Sequence, residues 1–193
     1  PATCGSADWR GISTAADAAA KAYSAIYDPA SYNFVVYVFP PLSACGWSGL
    51  AYIGNPHRSW INGTGAFKTT TIAHEMGHNY GLLHAHAYHC SSGGKYVTLG
   101  GSCSYDEYGD DFDAMGGSEL VGHYNAAEKQ RLGWMSGRVS TLSASGTYTL
   151  PPLERTGTGV RALKFTIGTR TYWLEHRTAT GQDKNFPAGG QGI

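Results

Sequence analysis

The stretch that decides the fold of this chain is Thr70–His84, TTIAHEMGHNYGLLH. His74 and His78 are four residues apart, so on a helix they project from the same face, one turn apart, and can bind one metal ion. Glu75 lies about 100° further round such a helix than His74, where it can hold a metal-bound water without being a ligand. The spacing therefore predicts a helix that carries two metal ligands and a base.

The chain after this helix supplies a third histidine. Gly81 can adopt a positive φ, which ends the helix and returns His84 toward the metal. His86 and His89 follow closely, but neither has the glycine-turn spacing, so we expect both on the rim of the site. Three histidines and an open fourth position are typical of a catalytic zinc site, whereas a structural zinc is usually fully enclosed. The alternative is a surface helix that happens to be rich in histidine.

Length and charge limit the classes of protein to consider. The 193 residues allow one good core, as one domain or one domain with an appendage. Lys+Arg 14 and Asp+Glu 14 give a net charge of zero, so a surface for nucleic acid or acidic membranes is not expected. No apolar run approaches the ~20 residues of a membrane-spanning helix. The chain begins at Pro1 without an initiator Met or a signal peptide, which is expected of a processed terminus or an excised domain.

The cysteine pattern indicates an oxidising compartment. The four cysteines are Cys4, Cys45, Cys90 and Cys103, an even number with no CxxC pair. Three pairings are possible, and we favour Cys4 with Cys45 and Cys90 with Cys103. Free buried cysteines are the alternative. With the low content of charged residues and the abundance of Gly and Tyr, this pattern predicts an extracellular protein.

The remaining elements predict an α+β fold with about three helices. We expect a first helix through residues 15–27, capped by Ser13 or Thr14 and stopped at Asp28-Pro29. Residues 34–39, FVVYVF, predict a buried central strand, and residues 49–54 and 59–61 predict two short strands. A further helix begins at the cap Asn125 and ends at a glycine.

The sequence changes character at Gly137. Beyond it, the stretches TYTL, VRALKFTI and TYWLEHR, separated by Gly and Thr clusters, predict the strands of a small antiparallel appendage. We therefore expect a catalytic domain over residues 1–137 and a β-rich segment over 138–193. No predicted element ends at residue 193, so the natural chain can extend beyond it.

Five carboxylates crowd together shortly before Met115. They are Asp106, Glu107, Asp110, Asp111 and Asp113. Such a cluster is usually a solvated loop, in which tyrosines and backbone amides satisfy the side chains, but it can also bind a structural Ca²⁺. Its spacing does not match an EF-hand.

Several motifs resemble a known family. HEMGHNYGLLH at 74–84 matches the extended zinc signature of the metzincin metalloproteases, and Asp113–Gly117, DAMGG, resembles their Met-turn, with Met115 as its methionine. Residues 45–51, 108–116 and 122–134 are also similar to the gametolysin-like secreted peptidases. The resemblance implies a twisted mixed sheet and the metal helix above a cleft, with the Met-turn and the last helix below. It also implies that the strand around Leu50, Ala51, Tyr52 and Ile53 is the sheet edge that pairs with an extended substrate.

The chain departs from the metzincin pattern at one position. Several metzincins carry a tyrosine two residues after the Met-turn methionine, as an extra ligand or oxyanion donor, but Gly117 stands there in this sequence. His123 and Tyr124 follow a few residues later and are candidates for this role. A packed or cap-adjacent position is the alternative for both.

The resemblance and the residues together predict a reaction. Zn²⁺ held by His74, His78 and His84 activates a water molecule, and Glu75 takes its proton and passes it to the leaving amine. We therefore expect a secreted, monomeric zinc endopeptidase, made as a zymogen, that hydrolyses internal peptide bonds of polypeptides. An exopeptidase, a zinc hydrolase of another bond and a zinc-stabilised adhesion or binding module are the alternatives.

Overall fold

A computed structural model describes residues 8–98, 102–117 and 122–186. The chain divides between Leu83 and His84 into two compact units. Among the described residues, three α-helices together with small mixed and antiparallel sheets confirm the α+β class. No helix among the described residues is long and apolar enough to cross a membrane.

The first unit contains two helices and one mixed sheet. Its elements are α1 (Asp8–Tyr23), β1 (Phe34–Phe39), β2 (Gly49–Ala51), β3 (His57–Asn62) and α2 (Thr69–Asn79), with short 3-10 turns at Ala25–Tyr27, Pro29–Ser31 and Thr64–Ala66. The strand order is β1-β3-β2, in which β1 runs parallel and β2 antiparallel to β3. The central strand is therefore β3, which carries the fully buried Trp60 and Ile61.

Aromatic packing joins α1 to this sheet. The ring of Trp9 lies edge-on against Trp60 with the centroids 4.5 Å apart, and Tyr37 stacks on Trp60 at 5.4 Å. The Tyr37 hydroxyl donates a 2.8 Å hydrogen bond to Asp17 on α1. Large buried rings of this kind supply much of the apolar area that stabilises a small core.

Two predictions for this unit were wrong. Ser13 and Thr14 lie inside α1 and hydrogen-bond back to the Arg10 carbonyl, so neither caps the helix. The strand at residues 34–39 has the predicted bounds, but within the described sheet it lies at an edge, and Val36 and Val38 are exposed. A continuous apolar run cannot by itself distinguish a central strand from an edge strand that packs on one face.

The second unit contains two three-stranded sheets and one helix. Its elements are β4 (Ala87–Ser92), β5 (Lys95–Tyr96), β6 (Cys103–Asp106), α3 (Ala126–Arg131), β7 (Val139–Thr141), β8 (Ala162–Ile167) and β9 (Arg170–Glu175), with a 3-10 turn at Gly181–Asp183. In the sheet β5-β4-β6 both pairs are antiparallel, and in β7-β8-β9 the strand β7 is parallel and β9 antiparallel to β8. As predicted, Asn125 caps α3 by accepting a hydrogen bond from the backbone N–H of Glu128.

The strands after residue 137 share a core with the segment before it. The buried cluster consists of Ala126, Met135, Leu153 and Ala162, with Val139 and Trp173 packed against it. Its members come from both sides of Gly137, so the structure does not confirm a separate C-terminal appendage. The boundary at 137/138 falls within the second unit and stays a prediction.

A buried ionic network also crosses this boundary. Arg177 donates to Asp183 at 3.0 and 2.7 Å and to Glu175 at 3.0 Å, and Glu175 accepts from the backbone N–H of Ala126 at the start of α3. Arg177 and Asp183 are almost fully buried, and buried charges of opposite sign must be paired in this way.

Two further strand predictions differ from the structure. Residues 147–150, TYTL, form no strand, and Pro151 and Pro152 directly after them have no N–H to donate to a ladder. The strands β4, β5 and β6, in contrast, lie where no strand was predicted from the sequence. Most of the residues in β4 are exposed on both faces, so the sequence shows no alternation of apolar and polar residues there.

Candidate metal centre

The helix α2 presents His74 and His78 on one face. Their rings lie edge-on with the centroids 4.9 Å apart, as expected for residues one turn apart. The buried Asn79 fixes the end of this helix against the sheet, because its side-chain amide donates to the carbonyls of Tyr52 and Arg58 at 2.9 and 3.0 Å. The two histidines therefore project from a helix whose position is set by buried hydrogen bonds.

The turn after α2 returns the chain toward these two rings. Gly81 has a φ of 90°, and its N–H donates to the His78 carbonyl while the N–H of Leu82 donates to that of Gly77. These bonds form a glycine-ended helix terminus, which requires the left-handed conformation that glycine adopts without strain. One ring nitrogen from each of His74, His78 and His84 lies within 4.8 Å of the others.

The donor atoms of this triad fit a zinc ion. At a Zn–N distance of about 2.0–2.1 Å, the nitrogens of a tetrahedral site are roughly 3.3 Å apart, and the three ring nitrogens lie within 4.8 Å of one another. Nδ1 of His78 donates to the Leu82 carbonyl at 3.0 Å, and Nδ1 of His84 donates to Glu107 Oε1 at 2.7 Å. A histidine that binds a metal through Nε2 makes this kind of hydrogen bond from its Nδ1. Among the described residues, these histidines are the only group of three or more potential metal-binding side chains that are close enough together.

Glu75, which follows His74 in the chain, is buried. Only 6% of the residue is exposed, and this burial raises the pKa of its carboxyl group to about 8. Its carboxylate lies against β2 at Gly49, where an added Cβ would be 2.2 Å from Oε1 of Glu75. Gly49 therefore leaves the space that the Glu75 side chain occupies.

The DAMGG stretch forms a tight, buried turn. Met115 is fully buried, its N–H donates to Asp113 Oδ1 at 2.6 Å, and its carbonyl accepts from the N–H of Ala85 at 2.9 Å. Gly116 lies so close to the Asp110 carbonyl oxygen that an added Cβ would be 1.8 Å from it. This segment thus has the compactness expected of a Met-turn, and its identity as one stays a prediction.

The two candidates for oxyanion stabilisation have structural contacts. Tyr124 is buried and packs against Trp134 with the ring centroids 5.9 Å apart, which agrees with the alternative of a packed residue. His123 is half-buried, its carbonyl accepts from the N–H of Ala114, and burial lowers the pKa of its imidazole. A role for either in the reaction stays a prediction.

The acidic segment is held by protein donors. Asp106 accepts from the N–H of Tyr108, Asp110 from that of Phe112, and Asp113 from those of Met115 and Asn125. Backbone amides therefore satisfy these three carboxylates, and Glu107 accepts from His84. The calcium site stays an untested prediction.

Several other predicted residues lie away from the triad. His86 packs against the rings of Tyr88 and Tyr105, and the exposed His89 is 3.8 Å from Asp106. Neither belongs to the group of three histidines. Cys90 and Cys103 face each other across β4 and β6 and form a disulfide. Cys45 is also disulfide-bonded, whereas its expected partner Cys4 lies outside the described residues.

The predicted substrate strand is shorter than expected. Leu50 and Ala51 lie in β2, at an edge of the described sheet, but Tyr52 and Ile53 follow its end. The Tyr52 ring packs against Trp9 and Trp60 in the aromatic core.

Two contacts at this centre were not predicted from the sequence. They are the approach of Gly49 to Glu75 and the hydrogen bond between Glu107 and His84. A glycine in a strand can indicate that another group approaches the backbone closely, and Gly49 is such a signal. Nothing in the sequence of the acidic cluster distinguishes Glu107 from its neighbours.

Comparison with known proteins agrees with this geometry. The sequence model of the family described as Gametolysin peptidase M11 matches residues 1–184. The chain belongs to the gametolysin peptidase M11 family. It is thus a metallopeptidase, and the family implies a metal, typically zinc, and protein substrates. The curated proteins and the solved structures contain no significant match to this peptidase.

Proposed function

We propose that this M11 metallopeptidase is a secreted zinc endopeptidase of the metzincin type. The observation that carries the proposal is the triad of His74, His78 and His84 with the buried Glu75 next to its first member. A purely structural zinc site would gain nothing from a base beside an open position, which argues against a binding or adhesion module.

The three histidines would hold Zn²⁺ through ring nitrogens. When bound, the ion supplies a Lewis acid that polarises the scissile carbonyl and lowers the pKa of a water molecule. Glu75 accepts a proton from the attacking water as its oxygen bonds to the carbonyl carbon. The same carboxyl group then gives this proton to the amine as the C–N bond breaks.

The environment of Glu75 suits both halves of this proton transfer. Burial raises its pKa to about 8 and so favours the protonated form, whereas a neighbouring dication favours the carboxylate. A group that acts first as a base and then as an acid needs both forms within reach near neutral pH.

Substrate binding and secretion are supported by separate features. At the edge of the described sheet, β2 directs the main-chain N–H and C=O of Ala51 away from β3, where they can pair with an extended peptide, which favours cleavage of internal bonds. The Cys90–Cys103 disulfide and the disulfide-bonded Cys45 support an oxidising, extracellular compartment.

Metal analysis and kinetics of three variants test this function. The parent protein should retain close to one equivalent of zinc after dialysis and cleave peptides blocked at both ends. Glu75→Gln keeps the shape of the side chain and should keep the zinc, but kcat/KM should fall at least ~100-fold, the usual scale for loss of a general base. His84→Ala should lose zinc, whereas the matched control His86→Ala should retain it.

Three results would contradict the proposal. Near-normal turnover by Glu75→Gln would exclude the glutamate base, and full zinc occupancy in His84→Ala would exclude the three-histidine site. Cleavage only of peptides with a free terminus would identify an exopeptidase.

A further inference from the structure

The turn after β6 contacts His84 through two consecutive residues. Oε1 of Glu107 is 2.7 Å from Nδ1 of His84, and the ring of Tyr108 lies 4.0 Å from the imidazole, centroid to centroid, with a 37° tilt. The imidazole is therefore held at its Nδ1 edge by a carboxylate and on its face by an aromatic ring.

Backbone hydrogen bonds fix this turn next to His84. The N–H of Asp110 donates to the carbonyl of Ala85, the residue after His84, at 3.2 Å. The carbonyl of Tyr108 accepts from the N–H of Gly117 at 2.7 Å, and an added Cβ on Gly109 would be 2.7 Å from Cβ of Ala87. These contacts fix the backbone of Glu107 next to His84.

Folding stability does not account for the contact between Glu107 and His84. The Glu107 side chain is 58% exposed, and a polar contact this accessible to solvent contributes little to stability. At a metal site the same hydrogen bond has a larger effect. A carboxylate that accepts from Nδ1–H fixes the tautomer and the ring orientation of a histidine ligand and raises the basicity of its other nitrogen.

His78 has a different kind of partner at its Nδ1. His78 donates from Nδ1 to the backbone carbonyl of Leu82, which the helix terminus places there whatever the side chains are. His84 comes after the helix has ended, in a segment with no regular structure, so its orientation depends on side chains from elsewhere in the chain.

We propose that Glu107 is a positioning residue for the metal centre, which orients His84 as the third ligand while Tyr108 packs on the ring. This inference rests on the zinc site of the proposed function. The role differs from the calcium binding predicted for the acidic cluster, because the Glu107 carboxylate contacts a histidine and not a metal ion.

Zinc affinity measured by competition with a chromogenic chelator tests the proposal. Loss of a group that hydrogen-bonds a metal ligand typically weakens metal binding about 10–100-fold, and we expect Glu107→Ala to lie in this range. Glu107→Gln keeps an oxygen that accepts from Nδ1–H without the charge, so its affinity should lie between those of Glu107→Ala and the parent. Asp111→Asn removes a carboxylate from the same cluster without a contact to His84, and it should bind zinc as the parent does.

A spectroscopic measurement separates ligand orientation from a change in fold. In the Co²⁺-substituted protein, the visible absorption bands report ligand geometry, so Glu107→Ala should shift them and Asp111→Asn should not. The melting temperatures of the metal-free variants should match that of the metal-free parent, since the contact adds little to stability.

The inference is overturned if Glu107→Ala has a zinc affinity within about twofold of the parent and an unchanged cobalt spectrum. A carboxylate that orients a metal ligand predicts at least about tenfold weakening when it is removed. Equal weakening by Asp111→Asn would also overturn it, because the effect would then be one of general charge. Failure of the proposed function is distinguishable, since the parent itself would then hold no equivalent of zinc.

Discussion

Replacement of Gly49 by alanine tests whether the structure places the catalytic base correctly. An alanine Cβ at this position would be 2.2 Å from Oε1 of Glu75 and 2.7 Å from its Cδ and Cγ. Carbon and oxygen atoms that are not bonded to each other stay more than ~3 Å apart, so the Glu75 carboxyl must move by about 1 Å. Gly49 does not have a positive φ, and the backbone of β2 therefore accepts alanine without strain.

The magnitude follows from the geometry of general-base catalysis. A displacement of about 1 Å in a reacting group costs about 100-fold in rate, which corresponds to about 2.7 kcal/mol of transition-state stabilisation. We expect kcat/KM of Gly49→Ala for a blocked peptide to fall by about this factor. The three atoms nearest to the added Cβ all belong to Glu75 and none to the histidine triad, so the zinc content should stay at one equivalent.

Two comparisons isolate the cause. Gly46→Ala is the matched control, because an added Cβ there meets no atom within 4 Å and this glycine also lacks a positive φ. Its activity should stay within about twofold of the parent, as expected for a substitution in open space. If Gly49 acts only through Glu75, the double variant Gly49→Ala/Glu75→Gln should be no slower than Glu75→Gln alone.

Two outcomes would refute this reasoning. One is a Gly49→Ala enzyme with kcat/KM within about threefold of the parent, since a base displaced by about 1 Å cannot sustain that rate. The other is additive losses in the double variant, which would assign the effect of Gly49 to substrate binding at β2.

Two further predictions concern stability. The native protein should show no titratable thiol, and two or more reactive thiols would contradict the pairing. Replacing Cys90 and Cys103 by serine should lower the free energy of unfolding by about 3 kcal/mol in denaturant titrations, as expected for a loop closed over 13 residues. Burial and the neighbouring Asp113 raise the pKa of Glu128 from 4.5 to about 9, so the native state binds its proton more tightly than the unfolded state does. The free energy of unfolding should therefore fall as the pH rises through this range, by at most about 1.4 kcal/mol per pH unit, and Glu128→Gln should flatten the dependence. Identical pH profiles for parent and variant in urea titrations would show that Glu128 does not hold this proton.

The outcomes for the individual elements show where sequence patterns are informative. The bounds of β1 agree with the prediction because they follow from a run of β-branched and aromatic residues. The Asn125 cap of α3 agrees because it depends on one local hydrogen bond. The first cap was wrong because Ser13 and Thr14 are equally able to hydrogen-bond back inside a helix. The edge position of β1 and the core shared across Gly137 depend on which distant segments pair. The local spacing of apolar residues does not specify these pairings.

The sequence by itself determined the histidine triad. His74 and His78 share a helix face because of the 3.6-residue turn, and His84 returns because Gly81 accepts a φ of 90°, so this geometry depends on contacts within a few residues. Only the tertiary structure decided what surrounds the triad. Gly49 meets Glu75 through the packing of β2 beside α2, and Glu107 reaches His84 across 23 residues through the turn after β6. Local periodicity determines which side chains share a face, whereas strand register and turn packing determine which distant atoms meet them.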